Sequence, residues 1–122
     1  MAVGALSMSK QWIPLQRTAQ LEEIRQASFD KPVVIFKHST TCSISQMALG
    51  RWERSWQAQP GTPLEAYFLD LRQFRDVSNA VAATFDVPHE SPQVLLVRDG
   101  KAVLDRSHYD IRFEDVAEAI KN

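Results

Sequence analysis

Short apolar runs along the chain alternate with stretches in which apolar residues recur at helical spacing. A continuous apolar run of this length is typical of a strand buried on both faces of a sheet. Four such runs predict strands: Trp12-Ile13-Pro14-Leu15, Val33–Phe36, Ala66–Leu69 and Val94–Val97. Since proline cannot donate to a strand ladder, Pro14 places the first strand at a sheet edge or makes it irregular.

The periodic stretches between and after these runs predict four helices. Apolar positions or capping residues mark them: one after Thr18, one over about Ser43–Gln57, one capped by Ser78, and one through Phe113, Val116, Ala117 and Ile120. The second helix carries two apolar stripes, so both of its sides are expected to be covered. The first stripe consists of Ile44, Met47, Ala48 and Trp52. The second consists of Leu49, Trp52 and Trp56.

The dipeptide Asp99-Gly100 is a strong signal for a two-residue hairpin. It predicts that Lys101 to about Arg106 returns as an antiparallel edge strand. The resulting order is β-α-β-α-β-α-β-β-α. Strands that alternate with helices predict an α/β fold with a central mixed sheet and helices on both faces.

Length and charge narrow the possible partners. The chain has 122 residues, which suits one core, and a formal net charge of −1. That charge gives no electrostatic reason to expect nucleic acid or a membrane surface as a partner. Residues 1–10 are expected to be a flexible segment or an expression remnant, with 11–122 forming a single domain. No apolar run is long enough to span a membrane.

Candidate chemistry centres on Cys42, the single cysteine. It lies where the second strand ends and the second helix begins. Unpaired N–H groups and the partial positive charge of a helix N-terminus favour a thiolate, which is the nucleophilic form. Ser45 stands three residues further on, where a two-cysteine redox site would carry its second thiol. One cysteine also excludes an internal disulfide and a multi-cysteine metal site, so a reducing cytosol is expected.

Plainer interpretations apply to most of these residues. A free cysteine is often a small apolar filler, but a polar Ser/Thr-rich turn gives a filler no reason to be there. His38, at a strand end, is more often a packed imidazole than a base. The three tryptophans are expected in the core, and the spread of three histidines and one cysteine gives no metal signature.

The order of elements, together with a cysteine at the second helix and a Ser-Pro before the fourth strand, resembles the thioredoxin fold. The chain is more specifically similar to the monothiol bacilliredoxin family. Three segments carry that resemblance: Lys37-His38-Ser39-Thr40-Thr41-Cys42-Ser43-Ile44-Ser45, His89-Glu90-Ser91-Pro92-Gln93-Val94 and Asp99-Gly100-Lys101. It implies a thioredoxin-like three-layer α/β/α fold.

The resemblance also implies a function and a site. Cys42 would be the reactive thiol of a cytoplasmic thiol–disulfide oxidoreductase that removes bacillithiol from protein mixed disulfides under oxidative stress. Ser91-Pro92 would be a cis-proline turn facing Cys42. Four polar residues would complete the substrate site in this mechanism: Thr40 and Thr41 would shape the rim of the pocket, and Ser45 and the region of Ser43 would support the thiolate. Bacillithiol would be a co-substrate, with no permanently bound cofactor, and the protein would be a monomer or weak dimer.

The chain departs from its relatives at three positions. Ser43 replaces a frequent proline after the cysteine, Phe36 stands where thioredoxins carry a buried acid, and Asp86 stands where a helix-ending glycine is usual. Three other functions stay open. They are an iron–sulfur carrier that uses one cysteine per chain, a redox sensor that dimerises through Cys42, and an interaction module with an inert Cys42.

Overall fold

The computed structural model describes residues 11–121, which form five strands, four α-helices and one 3-10 helix. The strands are β1 Trp12–Pro14, β2 Val33–His38, β3 Glu65–Asp70, β4 Gln93–Arg98 and β5 Lys101–Ser107. The helices are α1 Gln20–Ala27, α2 Ser43–Gln57, α3 Arg75–Phe85 and α4 Phe113–Lys121, with the 3-10 helix His108–Asp110. The predicted order of elements is confirmed. The prediction for residues 1–10 lies outside the described residues.

One mixed sheet carries the fold, in the order β1-β3-β2-β4-β5. β2 runs parallel to β3 and antiparallel to β4, and β5 closes the hairpin as the edge strand. All six residues of the central strand β2 are buried. The apolar run predicts this for Val33–Phe36, and the burial extends to Lys37 and His38. Pro14 lies in the three-residue edge strand β1, where its missing N–H costs no central hydrogen bond.

Two apolar cores cover the two faces of the sheet and give the three layers. α1 and α3 pack on one face, where Ile24 and Val81 meet Val33 and Ile35 of β2. α2 and α4 pack on the other face, where all three tryptophans lie. Here aromatic rings meet edge to face, with ring centroids 5.8 Å apart for Trp12 and Phe36 and 5.9 Å for Phe36 and Trp52. The predicted core role of the tryptophans is confirmed.

Both predicted hydroxyl caps are wrong. α1 begins at Gln20, and its side-chain oxygen accepts hydrogen bonds from the backbone N–H groups of Gln16 and Arg17 at 2.7 and 2.9 Å. These bonds fix the chain that leads into α1, and no side chain caps the first turn of the helix itself. α3 begins at Arg75, so Ser78 lies inside the helix, where it is buried and its hydroxyl faces Nδ1 of His89.

The predicted inward position of Met47 is also wrong, because the residue is 61% exposed. The inward face of α2 is formed instead by Ser45, Ala48, Trp52 and Trp56. Ser45 in the first turn is buried, and Met47, two residues later, points to solvent. No helix within residues 11–121 has the length and apolar character needed to cross a membrane.

Two turns follow the chemistry that the sequence indicates. Asp99 and Gly100 have φ values of 52° and 80°, as a hairpin turn with two left-handed residues requires. Asp86 ends α3 in the left-handed conformation, with φ 55°. An aspartate therefore takes a position at which glycine is usual.

Candidate functional site

Cys42 is the N-cap residue of α2, four residues after the end of β2. Its backbone N–H donates to the carbonyl of Ser39 at 3.2 Å, and its own carbonyl accepts from the N–H of Gln46 at 3.0 Å. The residue is half-buried. The thiol thus stands at a helix N-terminus, where first-turn amides have no acceptor within the helix and favour a negative charge.

Ser45 is fully buried beneath this loop. Its hydroxyl accepts from the backbone N–H of Ser39 at 2.9 Å and lies 2.7 Å from Nδ1 of His38. Neither bond involves Sγ of Cys42. The serine therefore acts on the thiol through the loop that it fixes, which differs from the expected direct support of the thiolate.

His38 is a packed imidazole at the end of β2. Its ring lies 5.4 Å from that of Phe68, and burial lowers the pKa of His38, which keeps the ring neutral. A neutral ring bonded to a buried hydroxyl is a structural group. The sequence interpretation of His38 as a packed residue agrees with these contacts.

The two threonines before Cys42 are exposed, and each accepts a hydrogen bond from a side chain outside the loop. Nη1 of Arg72 donates to Oγ1 of Thr41 at 2.7 Å, and the side-chain amide of Gln46 donates to the carbonyl of Thr40 at 2.8 Å. Ser43 is exposed in the first turn of α2. Arg72 thereby brings a cation next to the residue that precedes the thiol.

Arg72 is missing from the residues that the sequence indicated. The topology explains its position, because β3 runs parallel to β2 and His38 pairs with Asp70. Residues that follow Asp70 must then lie beside those that follow His38. The position of Arg72 can therefore be predicted from the pairing of β2 with β3, but not from the sequence pattern alone.

The Ser91–Pro92 peptide bond is cis, as the resemblance implied. Lys37 pairs with Gln93 in the antiparallel register of β2 and β4, so one further step brings Pro92 beside His38. Pro92 is buried, and its carbonyl accepts from the N–H of His108 at 3.0 Å. The turn thus lies next to the loop that carries Cys42.

Beyond this turn, the segment after β5 forms a rim that the sequence interpretation missed. His108 has φ 55°, and its Nε2 lies 3.4 Å from a carboxylate oxygen of Glu90. Next to it, 67% of Tyr109 is exposed, which is unusual for so large an aromatic side chain. The 3-10 helix packs against α2, so this rim borders the same end of the sheet as Cys42.

A polar cluster lies under the turn on the opposite face of β2, with Lys37 and Gln93 buried and His89 exposed at its edge. Nζ of Lys37 lies 2.8 Å from Nδ1 of His89 and 3.3 Å from the side-chain oxygen of Gln93. Burial lowers the pKa of Lys37 to about 8, and burial followed by the charge of Lys37 lowers the pKa of His89. Phe36, in place of the thioredoxin acid, packs among tryptophans.

This arrangement can perform thiol–disulfide exchange with one protein thiol. A thiolate at Cys42 can attack a disulfide sulfur, but the chain holds no second cysteine that could resolve the product internally. In such an exchange, a thiol from outside the chain would have to release the product. Within residues 11–121, no group of three or more His, Cys, Asp or Glu side chains is arranged to hold a metal ion.

Solved structures share this fold. A solved structure described as having a thioredoxin fold is 31% identical, with a TM-score of 0.78 over 92% of this chain and 96% of that chain. Fasciola hepatica thioredoxin is 20% identical, with a TM-score of 0.65 over 88% and 95%. Arabidopsis thaliana thioredoxin O2 in its oxidised state is 16% identical, with a TM-score of 0.69 over 92% and 96%.

The two thioredoxins show the fold alone, whereas a family model carries the assignment further. The model described as monothiol bacilliredoxin BrxC matches residues 13–116, a range that includes Cys42 and the cis-proline turn. Because this match spans most of the chain, the protein belongs to the monothiol bacilliredoxin family and has a thiol–disulfide redox function.

Proposed function

We propose that the protein removes bacillithiol from client proteins in which bacillithiol is joined to a cysteine by a mixed disulfide. In the first step, Sγ of Cys42 attacks the bacillithiol sulfur. The bond between that sulfur and the client sulfur breaks, and a new disulfide joins bacillithiol to Cys42. The electron pair leaves on the client sulfur, which takes a proton from water, so the client is released as a thiol.

In the second step, the thiolate of a free small thiol attacks the bacillithiol sulfur of this adduct. Cys42 is released as a thiolate, and a small-thiol disulfide forms. The observation that carries the proposal is the placement of a half-buried Cys42 at the N-cap of α2. A serine whose hydroxyl is already bonded stands at the resolving position. Exchange must therefore proceed with one protein thiol.

The surroundings of Cys42 support client binding as well. The residue before a cis proline can offer its backbone to an extended client segment, which would add to it as a strand does. Ser91 and Pro92 would supply this backbone. The exposed hydroxyls of Thr40, Thr41 and Ser43 would line the rim through which the small thiol enters.

Partners and setting follow from the chemistry. Clients are proteins that carry mixed disulfides with a small thiol, and bacillithiol is a co-substrate rather than a resident cofactor. A single thiol without a disulfide partner suits a reducing cytoplasm, where such adducts accumulate under oxidative stress. A monomer or weak dimer suffices, since one chain carries the whole site.

Mass spectrometry tests the proposal directly. The purified protein is mixed with a client protein that carries bacillithiol on one cysteine. The expected products are the client as a free thiol and a bacillithiol adduct on Cys42, with no transfer in the Cys42→Ser variant. Matched clients that carry glutathione or coenzyme A set the preference for the small thiol. An unmodified Cys42 under conditions that modify a control thiol would contradict the proposal.

A further inference from the structure

Lys37 is a fully buried lysine that the exchange steps above do not use. An ammonium group removed from water is costly unless hydrogen bonds replace its hydration. Here Nζ has two partners, Nδ1 of His89 at 2.8 Å and the side-chain oxygen of Gln93 at 3.3 Å. With its pKa lowered to about 8 by burial, Lys37 is still mostly an ammonium at neutral pH.

The contact with Lys37 determines the state of His89. An ammonium only donates hydrogen bonds, so Nδ1 of His89 must accept, and the ring is neutral with its proton on Nε2. The hydroxyl of Ser78 lies 3.4 Å from the same nitrogen. Two other charged groups act on the ring: the carboxylate of Glu90 favours its protonated form, and the guanidinium of Arg75 opposes it.

These contacts hold both sides of the cis-proline turn. His89 precedes Ser91-Pro92 by two residues, and Gln93 follows directly after it. The amide of Gln93 also donates to the carbonyl of Pro88 at 3.0 Å, which closes the segment on itself. One ammonium on β2 is therefore bonded to the segment before the turn and to the residue after it.

We propose that Lys37 and His89 are positioning residues for the exchange reaction, which hold the cis-proline turn against the Cys42 loop only while His89 is neutral. The inference rests on the proposed function and deepens it. Protonation turns Nδ1 of His89 into a donor that faces the Lys37 ammonium, so the contact is lost and the turn is released. Client binding then weakens, whereas reaction of Cys42 with a small reagent, which needs no turn, does not.

Three variants separate the parts of this proposal. Lys37→Met removes the donor, and His89→Ala removes the acceptor. His89→Asn keeps an amide oxygen close to the place of Nδ1 but does not titrate. Two rates are measured between about pH 5 and pH 8, the range in which histidine changes charge. They are kcat/KM for removal of bacillithiol from a client, and alkylation of Cys42 by iodoacetamide, which corrects for thiol ionisation.

In the wild-type protein, the ratio of the two rates should fall about tenfold on the acid side, through KM, as the hydrogen bond to a charged group is lost. His89→Asn should give a flat ratio. Lys37→Met and His89→Ala should lower the ratio about tenfold at every pH. His108→Asn replaces the neighbouring imidazole on the rim, and the acid limb should persist in that variant.

A wild-type ratio without an acid limb, an acid limb that persists in His89→Asn, or an unchanged ratio in Lys37→Met would each overturn the proposal. Failure of the proposed function looks different, because the wild-type protein would then transfer no bacillithiol at any pH. In that case NMR measurement of the protonation state of His89 tests the positioning contact. A neutral His89 with its proton on Nε2, whose titration changes in Lys37→Met, supports the positioning contact, and any other state overturns it.

Discussion

Nδ1 of His38 lies 2.7 Å from the hydroxyl of Ser45, which stands at the position of the second thiol in a two-cysteine site. The same hydroxyl accepts from the N–H of Ser39 at 2.9 Å. The last residue of β2, the loop that follows it and the first turn of α2 are thus joined through one buried oxygen. Cys42 lies on the loop that these bonds enclose.

Removal of this hydroxyl should destabilise the fold. Ser45→Ala leaves a buried backbone N–H and a buried imidazole nitrogen without partners, which costs about 1–3 kcal/mol of unfolding free energy. Urea unfolding measures that loss. Ser43→Ala is the matched control, because Ser43 is exposed and its substitution should stay within about 0.5 kcal/mol. Equal stability of the two variants would mean that the Ser45 bonds contribute nothing.

A thiol at the same position should change the course of the reaction. Ser45→Cys creates the Cys-x-x-Cys spacing of dithiol redox proteins. The bacillithiol adduct on Cys42 should then release its small thiol without an external reductant, and the protein should gain an internal disulfide. Mass spectrometry of the adduct over time measures this. An adduct as long-lived as that of the wild-type protein would show that the buried position keeps the new thiol away from Cys42.

Sequence patterns predicted the order of the elements because each strand is a distinct apolar run. They also predicted that Cys42 lies at the start of the second helix. The cis-proline turn at Ser91-Pro92 was predicted through the family resemblance. The caps at Thr18 and Ser78 were wrong because a hydroxyl before a helix pattern does not distinguish the N-cap from a position inside the helix.

The contacts around the site could not be predicted in the same way. The bond from Arg72 to Thr41 joins residues 31 positions apart, and that from Lys37 to His89 joins residues 52 apart. Such pairs depend on which strands are neighbours. Lys37 in particular directly follows an apolar run, and that pattern alone does not indicate that the sheet buries it completely.

The buried ammonium also predicts how stability depends on pH. The pKa of Lys37 is about 8 in the folded protein, against 10.5 for an unperturbed lysine. Between these two values the unfolded chain binds more protons than the folded chain, so stability should rise with pH in that window. Lys37→Met should lack the rise. Urea unfolding at several pH values tests this, and a rise of the same size in the variant would contradict it.

Glu53 should make stability fall as pH rises, the opposite of the effect of Lys37. Its buried carboxylate accepts a bond of 2.8 Å from Nε1 of Trp12, yet burial raises its pKa from 4.5. The folded chain therefore holds the Glu53 proton more tightly than the unfolded chain does. The contribution of Glu53 is fully present below about pH 4.5 and is lost as pH rises through the folded value.

Glu53→Gln removes that charge and keeps an acceptor for Trp12. At neutral pH the variant should unfold at a higher urea concentration than the wild-type protein, and the gap should close as pH falls. Trp12→Phe instead leaves the carboxylate unpartnered and should cost about 1–3 kcal/mol beyond the loss of apolar contact. Trp56→Phe, another buried tryptophan of the same core, measures the loss of contact alone.

The hairpin turn gives a further test, because Gly100 combines a positive φ of 80° with a crowded position. A Cβ added there would lie 3.1 Å from Cζ of Phe29, and the N–H of Gly100 donates to the hydroxyl of Ser28 at 2.8 Å. Gly100→Ala should lower the free energy of unfolding by about 1–2 kcal/mol, the cost of a left-handed alanine.

Gly61→Ala is the control, since its Cβ would meet nothing within 4 Å. That change should be neutral, or stabilise by up to about 1 kcal/mol through a less flexible unfolded chain. Equal effects of the two substitutions in urea unfolding would show that the turn tolerates a side chain and that Phe29 moves aside without cost.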